Sequence, residues 1–146
     1  MNGLEELEYR DFEKFVGLND GDKALVIKVY DGDTLTIGWT HSNRNVRSSL
    51  RIRGIDTPEL RSKSEEEKQM ASVARSRLEE ATMKKVVTLI SPGLDKYGRF
   101  LCDLSTEDIT SISQYMLQAK DICHEYDGGK RQPWTTTAPR TQDSSP

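Results

Sequence analysis

Cysteine, histidine, aromatic residues and long apolar runs are all scarce in this chain. Its two cysteines, Cys102 and Cys123, are too few for a disulfide framework and lack the paired spacing of a zinc site, so both are expected to be buried thiols. The two histidines, His41 and His124, are not bracketed by other ligand types, which argues against zinc. No apolar run suits a signal peptide or a membrane span, and the chain is expected to be soluble and intracellular, without membrane contact. A hydrophobic fraction of 34% is low for a compact globule and implies that part of the chain lies outside any core. Basic charge is not in excess either: 21 Lys and Arg stand against 24 Asp and Glu, for a net charge of −3. That balance excludes a globally basic nucleic-acid binder and leaves room for a local basic cleft. A length of 146 residues fits one domain with a modest core.

Residues 1–22 form an acidic N-terminal segment in which Leu4, Leu7, Phe12, Phe15 and Val16 are interspersed with carboxylates, the pattern of a short helix with one apolar side. Strands are expected over 24–30 and 35–39, then a polar hairpin loop over 41–49 and a third strand over 50–55. A charged connection leads into a helix over 66–83, with Met70, Ala71, Ala74, Leu78 and Ala81 as its apolar stripe. A fourth strand over 86–90 closes at Ser91, Pro92 and Gly93, a fifth follows over 100–104, and Ile109, Ile112, Met116 and Ala119 mark a second helix. Residues 135–146, TTTAPRTQDSSP, have no apolar face and are expected to be disordered. Three tightly joined strands, a helix, two strands and a helix describe a mainly β chain with helices (α+β), a small five-stranded barrel rather than a doubly wound parallel sheet.

Chemistry concentrates in two stretches, YDGDT at 30–34 and RIRGIDTPE at 51–59. In the first, Gly32 between Asp31 and Asp33 is expected to permit a positive φ in a tight junction. In the second, Arg51 and Arg53 flank Ile52, so an extended strand holds both guanidiniums on one face. Asp56, Thr57, Pro58 and Glu59 then place carboxylates in the turn after the strand. Carboxylates gathered at one point repel each other unless a cation is present, and oxygen donors favour calcium or magnesium over zinc. Arg51, with Arg99 from the glycine-containing turn DKYGR at 95–99, offers the planar forks that hold phosphate oxygens in pairs.

On YDGDT, RIRGIDTPE, DKYGRFL and the helix between them, in that order, the chain resembles the micrococcal, or staphylococcal-type, thermonuclease family over about residues 24–126. The resemblance implies a five-stranded OB-fold barrel, here over residues 23–134, that cleaves DNA and RNA with calcium. It implies Asp33, Asp56 and the Thr57 carbonyl as metal ligands, with Asp31 as a supporting acid. Glu59 takes the place of the general base, Arg51 and Arg99 the places of the phosphate-clamping arginines, and Lys96 and Tyr97 lie in the substrate-contacting turn. Tyr126 corresponds to a tyrosine that packs on a base. Water activated by Glu59 then attacks phosphorus in line, the bond to the 5′ oxygen breaks, and a 3′-phosphate remains. Single-stranded or flexible substrates and weak sequence preference are expected, since the contacts go to phosphate and a stacked base.

The chain departs from that family at Glu65, Glu66 and Glu67, where lysines and glycines are usual and where an exposed charge run is the simpler reading. No counterpart of the family's last helix is expected from this pattern; GGKRQPW at 128–134 is expected to take its place, with Trp134 sealing the barrel flank. Two functions follow from these residues: an active monomeric nuclease, favoured by the full set Asp33, Arg51, Asp56, Glu59 and Arg99, and an idle nucleic-acid or protein binding module, favoured by the acidic balance.

Overall fold

Alternating inward residues build the barrel wall. The structure, a computed structural model, describes residues 3–12 and 17–134. Strands β1 (Lys23–Val29), β2 (Thr34–His41), β3 (Arg44–Ile52), β5 (Val86–Leu94) and β6 (Phe100–Ser105) close in the order β1-β2-β3-β6-β5. The β3–β6 contact is parallel and the remaining pairings are antiparallel. This is the five-stranded mixed barrel of an OB fold, carrying two helices. Val26, Val29, Leu35, Ile37, Leu50, Ile52, Val87, Leu89, Cys102 and Leu104 fill the interior. Trp39 meets Phe100 edge to face, 5.7 Å between centroids.

Helix α1 (Glu65–Thr82) starts at Ser64, whose side chain accepts a hydrogen bond from the Glu67 N–H. Three glutamates in its first turn suit the positive end of the helix. It buries Ala71, Ala74, Leu78 and Ala81 of the predicted apolar stripe, while Met70 is only half-buried. Burial pushes both thiols, Cys102 and Cys123, up to about 12, so they are inert core residues. Among the described residues, no helix is long and apolar enough to cross a membrane.

Several elements differ from expectation. Strand β3 begins at Arg44, so the expected loop over 41–49 is mostly strand. Only Ser42 and Asn43, with φ of 51° and 65°, make the turn. The polar residues of β3 are held by the ladder to β2, because strand preference depends on the available partner. Ser91, Pro92 and Gly93 do not end β5 but lie at a register shift between Ile90 and Gly93, where proline is tolerated because the ladder is already interrupted. Helix α2 is shorter than its stripe, Ile112–Leu117, because Ser111 caps it and Asp103 accepts from the Ser113 N–H at 2.9 Å.

Among the described residues, the N-terminal segment contains two single turns of 3-10 helix, Leu4–Glu6 and Tyr9–Asp11, where one amphipathic helix is expected. Glu8 is extended and caps the second turn, which breaks the periodicity. Phe15 and Val16 lie outside the described residues, as does the tail 135–146 for which disorder is expected. A short pair, β4 (Ile55–Asp56) with β7 (His124–Glu125), brings the segment after α2 alongside the acidic turn. Trp134 stacks on His124 of that pair, at 3.8 Å and 9°, rather than on the barrel flank.

Candidate active site

The site grows from the β2–β3 ladder. Thr34 pairs with Arg51 in register, and the Ile52 N–H donates to the Asp33 carbonyl at 2.8 Å. The YDGDT junction and the end of RIRGIDTPE are therefore one structural unit. Asp33 is 4% exposed and Asp56 3%. Between them sits the Arg51 guanidinium, 3.2 Å from Asp33 Oδ2 and 3.8 Å from Asp56 Oδ1, donating also to the Ile55 carbonyl at 2.9 Å. Only 18% of the Arg51 side chain is exposed. Asp33 Oδ2 further accepts from the Thr57 N–H at 3.2 Å, and Asp33 Oδ1 from the Thr34 hydroxyl at 2.9 Å.

Gly32 does not adopt a positive φ. Its requirement is space: a Cβ there lies 2.7 Å from the Ala74 Cβ and 2.8 Å from Thr57 Oγ1. The missing side chain lets the loop press against both α1 and the acidic turn. Gly54, at φ +89°, is the residue that needs conformational freedom, reversing the chain between β3 and β4.

Asp31 accepts from the Asp33 N–H at 3.1 Å. Burial, and then the Asp33 charge beside it, push its carboxyl from 3.8 to about 7. Folding thus favours the neutral acid, so this contribution to stability is complete below pH 3.8 and is lost as pH rises through about 7. In chelator, Asp31→Asn should match the wild type at pH 4 and be more stable at pH 8. The full shift corresponds to about 4 kcal/mol, and partial solvation reduces the expected gain to about 2 kcal/mol. Urea titrations at the two pH values check this, and an equal effect at both contradicts it. Asp56 is also raised by burial, an effect opposed by Arg131.

Glu59 stands on the following turn with half its side chain exposed (53%). Glu67 holds that turn: its carboxylate accepts from the Glu59 N–H and from the Ser62 hydroxyl, both at 3.0 Å. The acidic run at 65–67 is therefore partly a clamp on the Glu59 turn and not merely a solvated face.

All ten residues singled out from the sequence (Asp31, Asp33, Arg51, Asp56, Thr57, Glu59, Lys96, Tyr97, Arg99 and Tyr126) line one cleft of about 1240 Å³. They do not all touch. Arg99 pairs with Asp95 (Nε to Oδ2, 2.8 Å), and Lys96 and Arg99 lie over Tyr97 at 5.3 and 5.7 Å. Burial alone raises the Asp95 carboxyl, but hydrogen bonds from Arg99 and the turn amides outweigh it and hold the carboxyl below its usual range. Tyr126 reaches the acids' side through Arg51, whose guanidinium lies 5.5 Å from its ring centre. Arg53 lines the same cleft as Arg51, with Ile52 buried between them, but its guanidinium is committed elsewhere. Strand β3 ends at Ile52, and Arg53 instead donates to the carbonyls of Ser91 (2.5 Å) and Leu101 (2.6 Å), stitching the β5 bulge to β6.

One residue at the site was not anticipated. Arg131 donates through Nε to Asp56 Oδ2 at 2.9 Å and through Nη2 to the Thr57 carbonyl at 3.3 Å, and pairs through Nη1 with Glu59. Burial works against its charge, yet Asp56 and Glu59 raise its pKa above the ordinary value. The only hint in the sequence is a Lys-Arg pair inside a Gly- and Pro-containing segment, which carries no periodicity.

The donors suit a hard cation. Asp33, Asp56 and the Thr57 carbonyl present oxygen alone, and Thr57 Oγ1 is buried without a hydrogen-bond partner among the described residues. Among the described residues no group of three Asp, Glu, His or Cys side chains forms a ready-made metal cage. A cation here would have to draw on two carboxylates, one carbonyl and water, a set that flexible oxygen coordination of the calcium type could accommodate.

Residues 49–120 match the family described as Staphylococcal nuclease homologue (SNase). The match is consistent with an SNase-like domain. The match includes Arg51, Asp56, Thr57, Glu59 and the 95–99 turn, and it ends short of Tyr126 and Arg131. No curated protein matches the chain. The SNase-like match and the buried Arg–Asp pairs are together consistent with a nuclease-like active site.

Proposed function

We propose that residues 23–134 form a calcium-dependent, sugar-nonspecific phosphodiesterase, acting as a monomer on DNA and RNA, preferentially single-stranded or flexible, and leaving 3′-phosphates. The observation that carries this reading is Arg51: a guanidinium fixed by two buried carboxylates and a carbonyl at the wall of a cleft, beside a third carboxylate that water can reach. A fork held this rigidly suits the non-bridging oxygens of a phosphodiester.

Asp33, Asp56 and the Thr57 carbonyl hold the cation, and Asp31 supports Asp33 from behind. When bound there, calcium would supply positive charge that lowers the cost of placing a dianionic transition state among carboxylates. Glu59 accepts a proton from water, and the water oxygen forms its bond to phosphorus as the bond to the 5′ oxygen breaks. That 5′ oxygen takes up a proton from solvent, and Glu59 returns its own to bulk water. Arg51, and Arg99 once turned from Asp95, stabilise charge on the equatorial oxygens, while Lys96, Tyr97 and Tyr126 position the strand.

Cleavage of fluorescent single-stranded DNA and RNA, with calcium, magnesium or chelator, tests the reading. Calcium-dependent cutting is expected, with Glu59→Gln slower by about 10²- to 10⁴-fold, the usual worth of a positioned base. A second reading, a catalytically idle nucleic-acid or protein binding module, draws on one observation: Glu59 is paired with Arg131. Nucleic-acid binding without cutting under any of these conditions favours that module.

A further inference from the structure

Arg131 comes from a strap, residues 126–134, of which the sequence assigns only Tyr126 to the site. The strap is tied down on both sides of Arg131. Before it, the Tyr126 N–H donates to the Gly54 carbonyl and the Tyr126 hydroxyl to the Gly129 carbonyl, both at 2.9 Å. Gly128 turns the chain at φ +95°, and Asp127 accepts from the Gly129 N–H at 3.0 Å. After it, Trp134 stacks on His124. The guanidinium between these anchors bonds to Asp56, the Thr57 carbonyl and Glu59. Two of those three are cation ligands in the proposed function, and the third is its base. A fixed monocation therefore lies on oxygens that a divalent cation and its activated water need.

We propose that Arg131 is a tethered counter-ion of this site, which a divalent cation must displace, so that cation binding and release of the 126–134 strap are linked. The inference rests on the reading of Asp33, Asp56 and Thr57 as a cation site. It follows that the strap sets cation affinity: the ion gains the carboxylates only after the guanidinium leaves, and a chain without the guanidinium omits that step. Linkage is reciprocal, so calcium must in turn loosen the strap. With the strap displaced, Glu59 is freed for water.

Calcium titration calorimetry on the wild type, Arg131→Gln, Arg131→Lys and Lys130→Gln tests the inference. Arg131→Gln is expected to bind calcium at least tenfold more tightly than the wild type. Arg131→Lys, charged but unable to bridge three acceptors, should fall between them, and Lys130→Gln should match the wild type. Equal affinity in the wild type and Arg131→Gln overturns the strap inference and leaves the cation site standing. Absence of binding in both overturns the cation site, and the inference with it. Hydrogen exchange on the wild type gives a check that requires no variant. Saturating calcium should speed exchange at the Tyr126 and Gly129 amides relative to chelator, and calcium binding with unchanged exchange there contradicts the proposal.

Discussion

Arg51→Ala is expected to lower kcat/KM for phosphodiester cleavage by about 10³-fold and to destabilise the fold by about 3 kcal/mol. The two losses have one cause. The Arg51 guanidinium is the shared partner of two nearly buried carboxylates, Asp33 and Asp56. Removing it leaves the Asp33 charge without a cationic partner in a poorly solvated place, while Asp56 keeps only Arg131, and it removes the fork proposed to face phosphate. Arg51→Lys separates the two effects. An ammonium restores charge beside Asp33 and so recovers most of the stability, but it does not present paired donors in a fixed plane, and cleavage should stay at least tenfold down. Urea unfolding in chelator, alongside cleavage at saturating calcium, reads both quantities. Wild-type turnover in Arg51→Ala rules out Arg51 at the phosphate.

Gly32→Ala should cost about 3 kcal/mol, roughly a 10 °C fall in Tm for a domain of this size. The added methyl meets the Ala74 Cβ at 2.7 Å and the Thr57 side chain at 2.8 to 2.9 Å. Neither neighbour is the far end of a flexible side chain, so the backbone has to shift. Thr57 carries the carbonyl assigned to the cation, and its N–H holds Asp33, so movement there also opens the site. Ala74→Gly in the same chain relieves the α1 side alone. The double variant should recover part of the stability and little of the cleavage. An unchanged Tm in Gly32→Ala shows that the loop yields more easily than this packing implies.

Much of the fold was legible because the barrel repeats simple local rules. Alternation marked β1, β2 and β6, and the alanine and leucine stripe marked α1 almost to its ends. The first half of β3 was not legible, since RNVRSS has a polar, weakly strand-forming composition and becomes strand only when β2 offers a ladder. The bulge in β5 hid behind Pro92 and Gly93, which read as a stop when the barrel wall is not known to continue past them.

At the site, the sequence by itself determined which groups are present and the local turns that carry them. Asp31, Asp33, Arg51, Asp56, Thr57 and Glu59 occupy two short stretches whose backbone chemistry is set within a few residues, and one cleft contains them all. Tertiary structure alone decided their partners. Arg53 was turned to carbonyls of β5 and β6, Glu67 was drawn to the Glu59 turn, and Arg131 was carried onto Asp56 from 75 positions away, whereas the Arg99–Asp95 pair is local to its own turn. A long charged side chain goes to whichever acceptors the folded chain brings near it, and no periodicity records that choice. Local spacing specifies strands and turns, whereas ion pairs across the chain exist only after the barrel closes.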